Sequence, residues 1–129
     1  MLNISALKKI FSSFPEVGLA YFFGSRASST HGPLSDYDFA IYLDENDNLK
    51  KAEIKLSILT EINKILKTDQ VDLVVLNDAE SPELKYKIIK EGKIIYEKES
   101  YKVIVEPKIM NQYFDFMYGL GKYNLTKSL

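Results

Sequence analysis

Residues 22–43 read FFGSRASSTHGPLSDYDFAIYL and join two apolar runs through a polar segment. Gly24 and Ser25 end one apolar run, and ten polar or turn-forming residues then lead to Asp36 and Asp38 at the start of a second run. Two carboxylates that lie side by side where a chain enters its core repel each other unless a cation lies between them. We therefore expect this stretch to carry chemistry as well as structure.

The apolar runs around this polar segment predict two β-strands, over residues 18–24 and 36–44. In the second strand, the period of two places Asp36, Asp38 and Ala40 on one face. The opposite face carries four larger apolar or aromatic side chains: Tyr37, Phe39, Ile41 and Leu43.

The spacing of apolar residues elsewhere predicts two further strands, over residues 70–78 and 93–97, and a first helix over residues 3–14. A long helix is predicted over residues 45–69. Its expected buried stripe consists of Leu56, Ile58, Leu59, Ile62, Ile65 and Leu66.

Proline and glycine predict the limits of the remaining helices. Pro82 opens a helix that Gly92 is expected to end as a left-handed cap, because proline fits a first helical turn and glycine tolerates positive φ. Pro107 opens a C-terminal helical extension over about residues 106–123. Its aromatic side chains are expected to pack in the core or to form a partner surface: Tyr113, Phe114, Phe116, Tyr118 and Tyr123.

Strands that alternate with helices predict an α/β protein, with helices packed on a sheet of about four strands. A chain of 129 residues is expected to form a single domain, residues 1–129. A net charge of −1 argues against direct nucleic-acid binding, and the lack of cysteine excludes disulfides and thiolate metal sites. We find neither a signal-peptide pattern nor an apolar run that would span a membrane, so a cytoplasmic protein is expected.

A third acid, Asp72, lies within the apolar run VDLVVL, where a charge is costly unless it is paired with a lysine or bound to metal. If the strands that carry Asp38 and Asp72 are neighbours, both carboxylates can meet on one face with Asp36. Such a set could hold two Mg²⁺ ions for in-line displacement at phosphorus. Asp69 is a rival for this role, but its place in a helix-to-strand turn favours a surface residue.

The Gly-Ser pair adds an expected phosphate site. Gly24 allows close approach of the backbone to a ligand, Ser25 can cap a short helix through RASST, and free N–H groups at a helix start bind anions. Arg26 has a guanidinium group that suits phosphate oxygens. These residues together predict binding of a nucleoside triphosphate with Mg²⁺.

This spacing resembles the nucleotidyltransferase superfamily of DNA polymerase β, and most of all its minimal nucleotidyltransferases, over residues 5–97. The resemblance implies a palm-like fold with a mixed sheet. It also implies that Asp36 and Asp38 bind both metals, that Asp72 completes the metal site and helps to deprotonate the attacking hydroxyl, and that ATP is the substrate. Gly24 and Ser25 would hold the β- and γ-phosphates.

The chain departs from many of these relatives after GSRA. It carries Ser28 and Ser29 where they have a basic residue and a glycine, so a phosphate contact by arginine is not expected there. His31, the single histidine, lies in this loop and could touch substrate, but it is expected to be an exposed loop residue. One histidine alone makes no metal site.

Minimal nucleotidyltransferases are commonly paired with a HEPN-domain ribonuclease toxin. The resemblance therefore implies that this chain transfers AMP to a hydroxyl, in known cases that of a tyrosine, on such a toxin encoded by a neighbouring gene. It would act as the antitoxin of a type VII-like pair. Two alternatives remain: a small-molecule nucleotidyltransferase of the aminoglycoside type completed by a second subunit, and an antitoxin that acts by occlusion alone.

Overall fold

The structure is a computed structural model that describes residues 2–27 and 36–128. Their helices and strands follow in this order: α1 (Ile4–Ser12), β1 (Val17–Phe23), β2 (Tyr37–Leu43), α2 (Asn48–Leu66), β3 (Val71–Val75), α3 (Pro82–Glu91), β4 (Lys93–Glu97) and α4 (Tyr101–Ser128). The four strands and four longer helices that the sequence predicts are present, and most of their bounds differ from the predicted ones by a few residues.

The described strands form one mixed sheet of four in the order β3-β2-β1-β4. Strand β1 is antiparallel to both β2 and β4, whereas β2 and β3 are parallel. The parallel pair is possible because α2 carries the chain back between them, as a parallel connection requires. The predicted α/β fold with a mixed sheet flanked by helices is confirmed.

Each face of the sheet has its own apolar core. Helices α1 and α2 cover the face that carries Phe22, Phe39 and Ile41. Helices α3 and α4 cover the opposite face, where Tyr21 and Ala40 lie. The alternation along β2 is therefore as predicted. The side chains of consecutive residues lie on opposite faces of the sheet.

The buried stripe of α2 is the predicted one except for Leu56, because Ile58, Leu59, Ile62, Ile65 and Leu66 are all buried or partly buried. Leu56 was expected to be buried but is 66% exposed, whereas Ile58 and Ile62 are fully buried. The side of α2 that faces the sheet carries Lys51, Ile54, Ile58 and Ile62, and Leu56 lies on the solvent side. Lys51 itself is 8% exposed and forms an ion pair with Asp78 at 2.5 Å, which compensates for its burial.

The end of α3 is also different from the prediction. Gly92 was expected to adopt a left-handed conformation, but its φ of −70° and ψ of 155° are extended. The chain passes directly into β4 there, and a Cβ atom at residue 92 would overlap the carbonyl oxygen of Ile88. The glycine is therefore required by close packing and not by its φ angle.

Helix α4 begins at Tyr101, earlier than the predicted start at Pro107, which lies inside the helix. Tertiary contacts account for the early start. The Tyr101 hydroxyl donates a hydrogen bond to Asp44, its ring packs on Gly18, and Tyr21 donates a hydrogen bond to Glu106 at 2.5 Å. Among the described residues, no helix combines the length and the apolar character that crossing a membrane requires.

Candidate active site

The parallel pairing of β2 and β3 aligns two of the three predicted acids. Asp38 lies directly opposite Asp72 in the register of the two strands. Since both strands share one pleat, residues in register point to the same face. The prediction that these strands are neighbours is confirmed, and it places both carboxylates at the end of the sheet where β2 and β3 begin.

The electrostatics of Asp38 show that the acids influence one another. Burial raises the pKa of Asp38, and the negative charges of Asp72 and then Asp36 raise it further. Asp36 and Asp72 are themselves exposed to solvent. The site thus consists of one half-buried carboxyl group flanked by two solvated ones, and a cation is the natural partner for this arrangement.

The donor atoms fit a hard divalent cation, because all of them are carboxylate oxygens, which Mg²⁺ prefers. Within residues 2–27 and 36–128, however, no three acidic or histidine side chains converge closely enough to form a finished metal site. Two carboxylates about 4 Å apart repel by roughly 4 kcal/mol at an effective dielectric near 20.

The Gly-Ser pair forms a tight turn against the same acids. Gly24 has a φ of +83°, and the Ala27 N–H donates to the Gly24 carbonyl at 3.1 Å. A Cβ atom at residue 24 would overlap Asp38 Oδ2 and would lie 3.1 Å from Asp38 Cγ. Residues 24–27 form this turn, which we call the 24–27 turn. The short helix that Ser25 was predicted to cap through RASST lies partly outside the described residues.

The glycine leads to a first prediction. A Gly24→Val variant should bind ATP weakly and lose activity, because the side chain would displace the Asp38 carboxylate and strain the positive φ by about 1–3 kcal/mol. Calorimetric titration with ATP and Mg²⁺ measures the loss.

The matched control for this variant is Gly119→Ala. Gly119 lies in α4 with nothing within 4 Å of its added Cβ, so alanine there should preserve binding and stabilise the helix by about 0.5–1 kcal/mol. Circular dichroism must show that both variants fold. ATP binding of wild-type strength by a folded Gly24→Val protein would contradict the role of this glycine.

The remaining predicted residues fall in three places. The guanidinium carbon of Arg26 lies 4.1 Å from the centroid of the Tyr37 ring. Asp69 is exposed in the turn between α2 and β3, as predicted for a surface residue. Ser28, Ser29 and His31 lie outside the described residues.

A groove of about 660 Å³ runs beside Asp72, between α2 and the outer edge of β3. Lys51, Lys55 and Asp78 are among its lining residues. The burial of Lys51 was not predicted from the sequence. Ile54 and Ile58 follow it by three and seven residues, which places it on the apolar stripe of α2. This stripe position was the available signal that the lysine is buried.

The chain matches the family described as Polymerase beta, Nucleotidyltransferase over residues 5–101. It belongs to this family. Its nucleotidyltransferase domain is 32% identical over 96 residues to "Protein adenylyltransferase MntA" of Aphanizomenon flos-aquae (strain 2012/KM1/D3). The match covers 69% of this chain and spans 63% of the length of that relative.

Solved structures share the fold of this nucleotidyltransferase along nearly its whole length. A toxin-antitoxin crystal structure with AMP-PNP contains a chain with a TM-score of 0.77 and 22% identity, covering 99% of this chain and 100% of that chain. A second match comes from a tri-AMPylated Shewanella oneidensis HEPN toxin in complex with MNT antitoxin. Its TM-score is 0.70 at 20% identity, with 98% of this chain and 97% of that chain covered.

Proposed function

We propose that this nucleotidyltransferase transfers AMP from ATP to a hydroxyl, that of a tyrosine, on a HEPN-domain toxin and thereby acts as its antitoxin. The observation that supports the proposal most directly is the register of Asp38 opposite Asp72, with Gly24 of the 24–27 turn packed against Asp38. The relative named as a protein adenylyltransferase supports a protein acceptor. The proposal places the reaction in the cytoplasm, where ATP is available.

The proposed metal ligands are Asp36, Asp38 and Asp72, which supply only oxygen donors. Two Mg²⁺ ions held there would neutralise the charge that develops on the attacking and leaving oxygens. Asp38 is the proposed central ligand, because burial and the charges of Asp72 and Asp36 raise the pKa of its carboxyl group and a cation would favour its ionised form.

The 24–27 turn is proposed to bind the β- and γ-phosphates through Gly24 and Ser25. The positive φ and the lack of a side chain at residue 24 let this turn pack directly against the Asp38 carboxylate, which places it next to the proposed metal ligands. A triphosphate that lies there has its α-phosphorus on the side of Asp38 and Asp72.

Asp72 is proposed to accept the proton of the acceptor hydroxyl. A tyrosine hydroxyl has a pKa near 10 and is a weak nucleophile at neutral pH unless its proton is removed. As the hydroxyl oxygen bonds to the α-phosphorus, the bond from this phosphorus to the bridging oxygen breaks. Pyrophosphate leaves, and the partner keeps AMP.

The position of the label distinguishes this reaction from phosphorylation. When the HEPN-domain protein encoded by the neighbouring gene is present, ATP labelled at the α-phosphate should label that protein. ATP labelled at the γ-phosphate should instead release its label as pyrophosphate. Labelling of the partner from the γ-phosphate would contradict the proposal. A bound and inhibited partner without any label would favour occlusion, and label on an aminoglycoside would favour the small-molecule alternative.

A further inference from the structure

The 24–27 turn contacts both faces of the sheet where β2 begins. Gly24 packs against the side chain of Asp38, which faces the core of α3 and α4. Arg26 instead lies on the ring of Tyr37, which packs with the core of α1 and α2. Since Tyr37 and Asp38 are consecutive residues of a strand, their side chains point to opposite faces. The turn therefore holds β2 from both sides.

The side of the turn that bears Arg26 is continuous with the core. The Tyr37 ring stacks on Phe22 with centroids 6.4 Å apart, and Phe22 contacts Phe39 at 5.2 Å. Phe22 is 6% exposed and Phe39 is fully buried. Ala27, which closes the turn, is also buried at 7% exposure. A chain of packed rings thus connects the guanidinium group to the interior.

The position of Arg26 bears on its role. Its guanidinium lies over the Tyr37 ring at 4.1 Å, a distance typical of a cation–π contact. The carboxylate of Asp38 points to the other face of the same strand. In this arrangement the charge of the arginine contributes to the contact between the turn and Tyr37.

We propose that Tyr37 is a positioning residue of the nucleotide site, and that Arg26 acts through its stack on this ring instead of as an independent phosphate ligand. The inference rests on the proposed function, because it assumes that the 24–27 turn binds the triphosphate. A turn fixed on both sides binds phosphate without the entropic cost of ordering itself.

Two substitutions at Tyr37 distinguish the contribution of its aromatic ring from that of its hydroxyl group. Tyr37→Phe keeps the π face and should leave the KM for ATP within about twofold, whereas Tyr37→Leu removes it and should raise this KM about five- to tenfold. AMP, which lacks the β- and γ-phosphates, should bind both variants equally well. A matched control is Tyr96→Leu, because Tyr96 packs against the same core from β4, away from the turn.

The experiment is a double-mutant cycle with Arg26→Met and Tyr37→Leu, read out as KM and kcat for ATP and as the Kd for ATP with Mg²⁺. The proposal predicts that the double variant is no worse than either single variant, that Tyr37→Phe restores wild-type values, and that Tyr96→Leu lowers Tm without changing the Kd. Effects that multiply, or an Arg26→Met loss far larger than that of Tyr37→Leu, would show an independent phosphate ligand and overturn the inference.

Two outcomes keep this inference apart from the proposed function. Wild-type protein that binds and transfers the nucleotide, with Tyr37→Leu unchanged in Kd and KM, overturns the positioning role alone. Wild-type protein that does not bind ATP with Mg²⁺ overturns the proposed function and the positioning role together.

Discussion

Mg²⁺ and ATP added together are expected to raise the Tm of the wild-type protein by about 10 °C at a ligand concentration of one hundred times Kd. The reason is mass action, because a ligand that binds only the folded state stabilises it by about 2.7 kcal/mol at this concentration. ATP with EDTA should give a much smaller shift. Asp38→Asn should lose most of the shift, since Asp38 is the central proposed metal ligand.

The same substitution should have a different effect without nucleotide. The pKa of Asp38 is raised in the folded state by burial and by the charges of Asp72 and Asp36. Because its pKa is raised in the folded state, Asp38 contributes most to stability at pH values below its ordinary pKa. This contribution is lost as the pH rises through the raised pKa of the folded state. At neutral pH, Asp38→Asn should therefore fold with a Tm equal to or above that of the wild type. A large loss of apo stability would contradict this electrostatic account.

AMP transfer is expected to fall by a factor of about 10²–10³ or more in Asp72→Asn, because the variant loses both a proposed metal ligand and the proposed proton acceptor. Asp69→Asn provides a matched control, since it removes the same charge from an exposed turn three residues earlier. Rates are measured from α-labelled ATP with the partner protein present. Equal losses of AMP-transfer rate in both variants would show an effect of overall charge. Full activity of the Asp72→Asn variant would exclude Asp72 from the site.

The alternation along β2 could be predicted from sequence because a half-buried strand has a period of two whatever its neighbours are. It placed Asp38 and Ala40 on one face and Phe39 on the other, as the structure shows. The meeting of Asp38 and Asp72 followed from one further assumption, that the two strands are neighbours. Helix α2, which connects them, makes that pairing the natural one.

The features that were predicted wrongly or missed depend on particular atomic contacts, which the spacing of apolar residues does not describe. Leu56 and Lys51 lie on different sides of α2. The spacing of Lys51 from Ile54 and Ile58 indicates a buried position, but only the packed helix shows Asp78 beside the lysine to compensate its charge. Gly92 is required by the carbonyl of Ile88, which composition does not reveal. The stack of Arg26 on Tyr37 depends on the path of the 24–27 turn, so no spacing rule indicates it.

The proposed reaction places AMP on a hydroxyl of a partner protein by means of the three carboxylates of this chain. The most direct measurement is the intact mass of the protein encoded by the neighbouring gene after incubation with this chain, ATP and Mg²⁺. We predict a gain of whole AMP units on the partner, located on a tyrosine by fragmentation, and no gain with Asp36→Asn or Asp72→Asn. A partner whose mass is unchanged although wild-type protein, ATP and Mg²⁺ are all present and the two proteins are bound would contradict the claim.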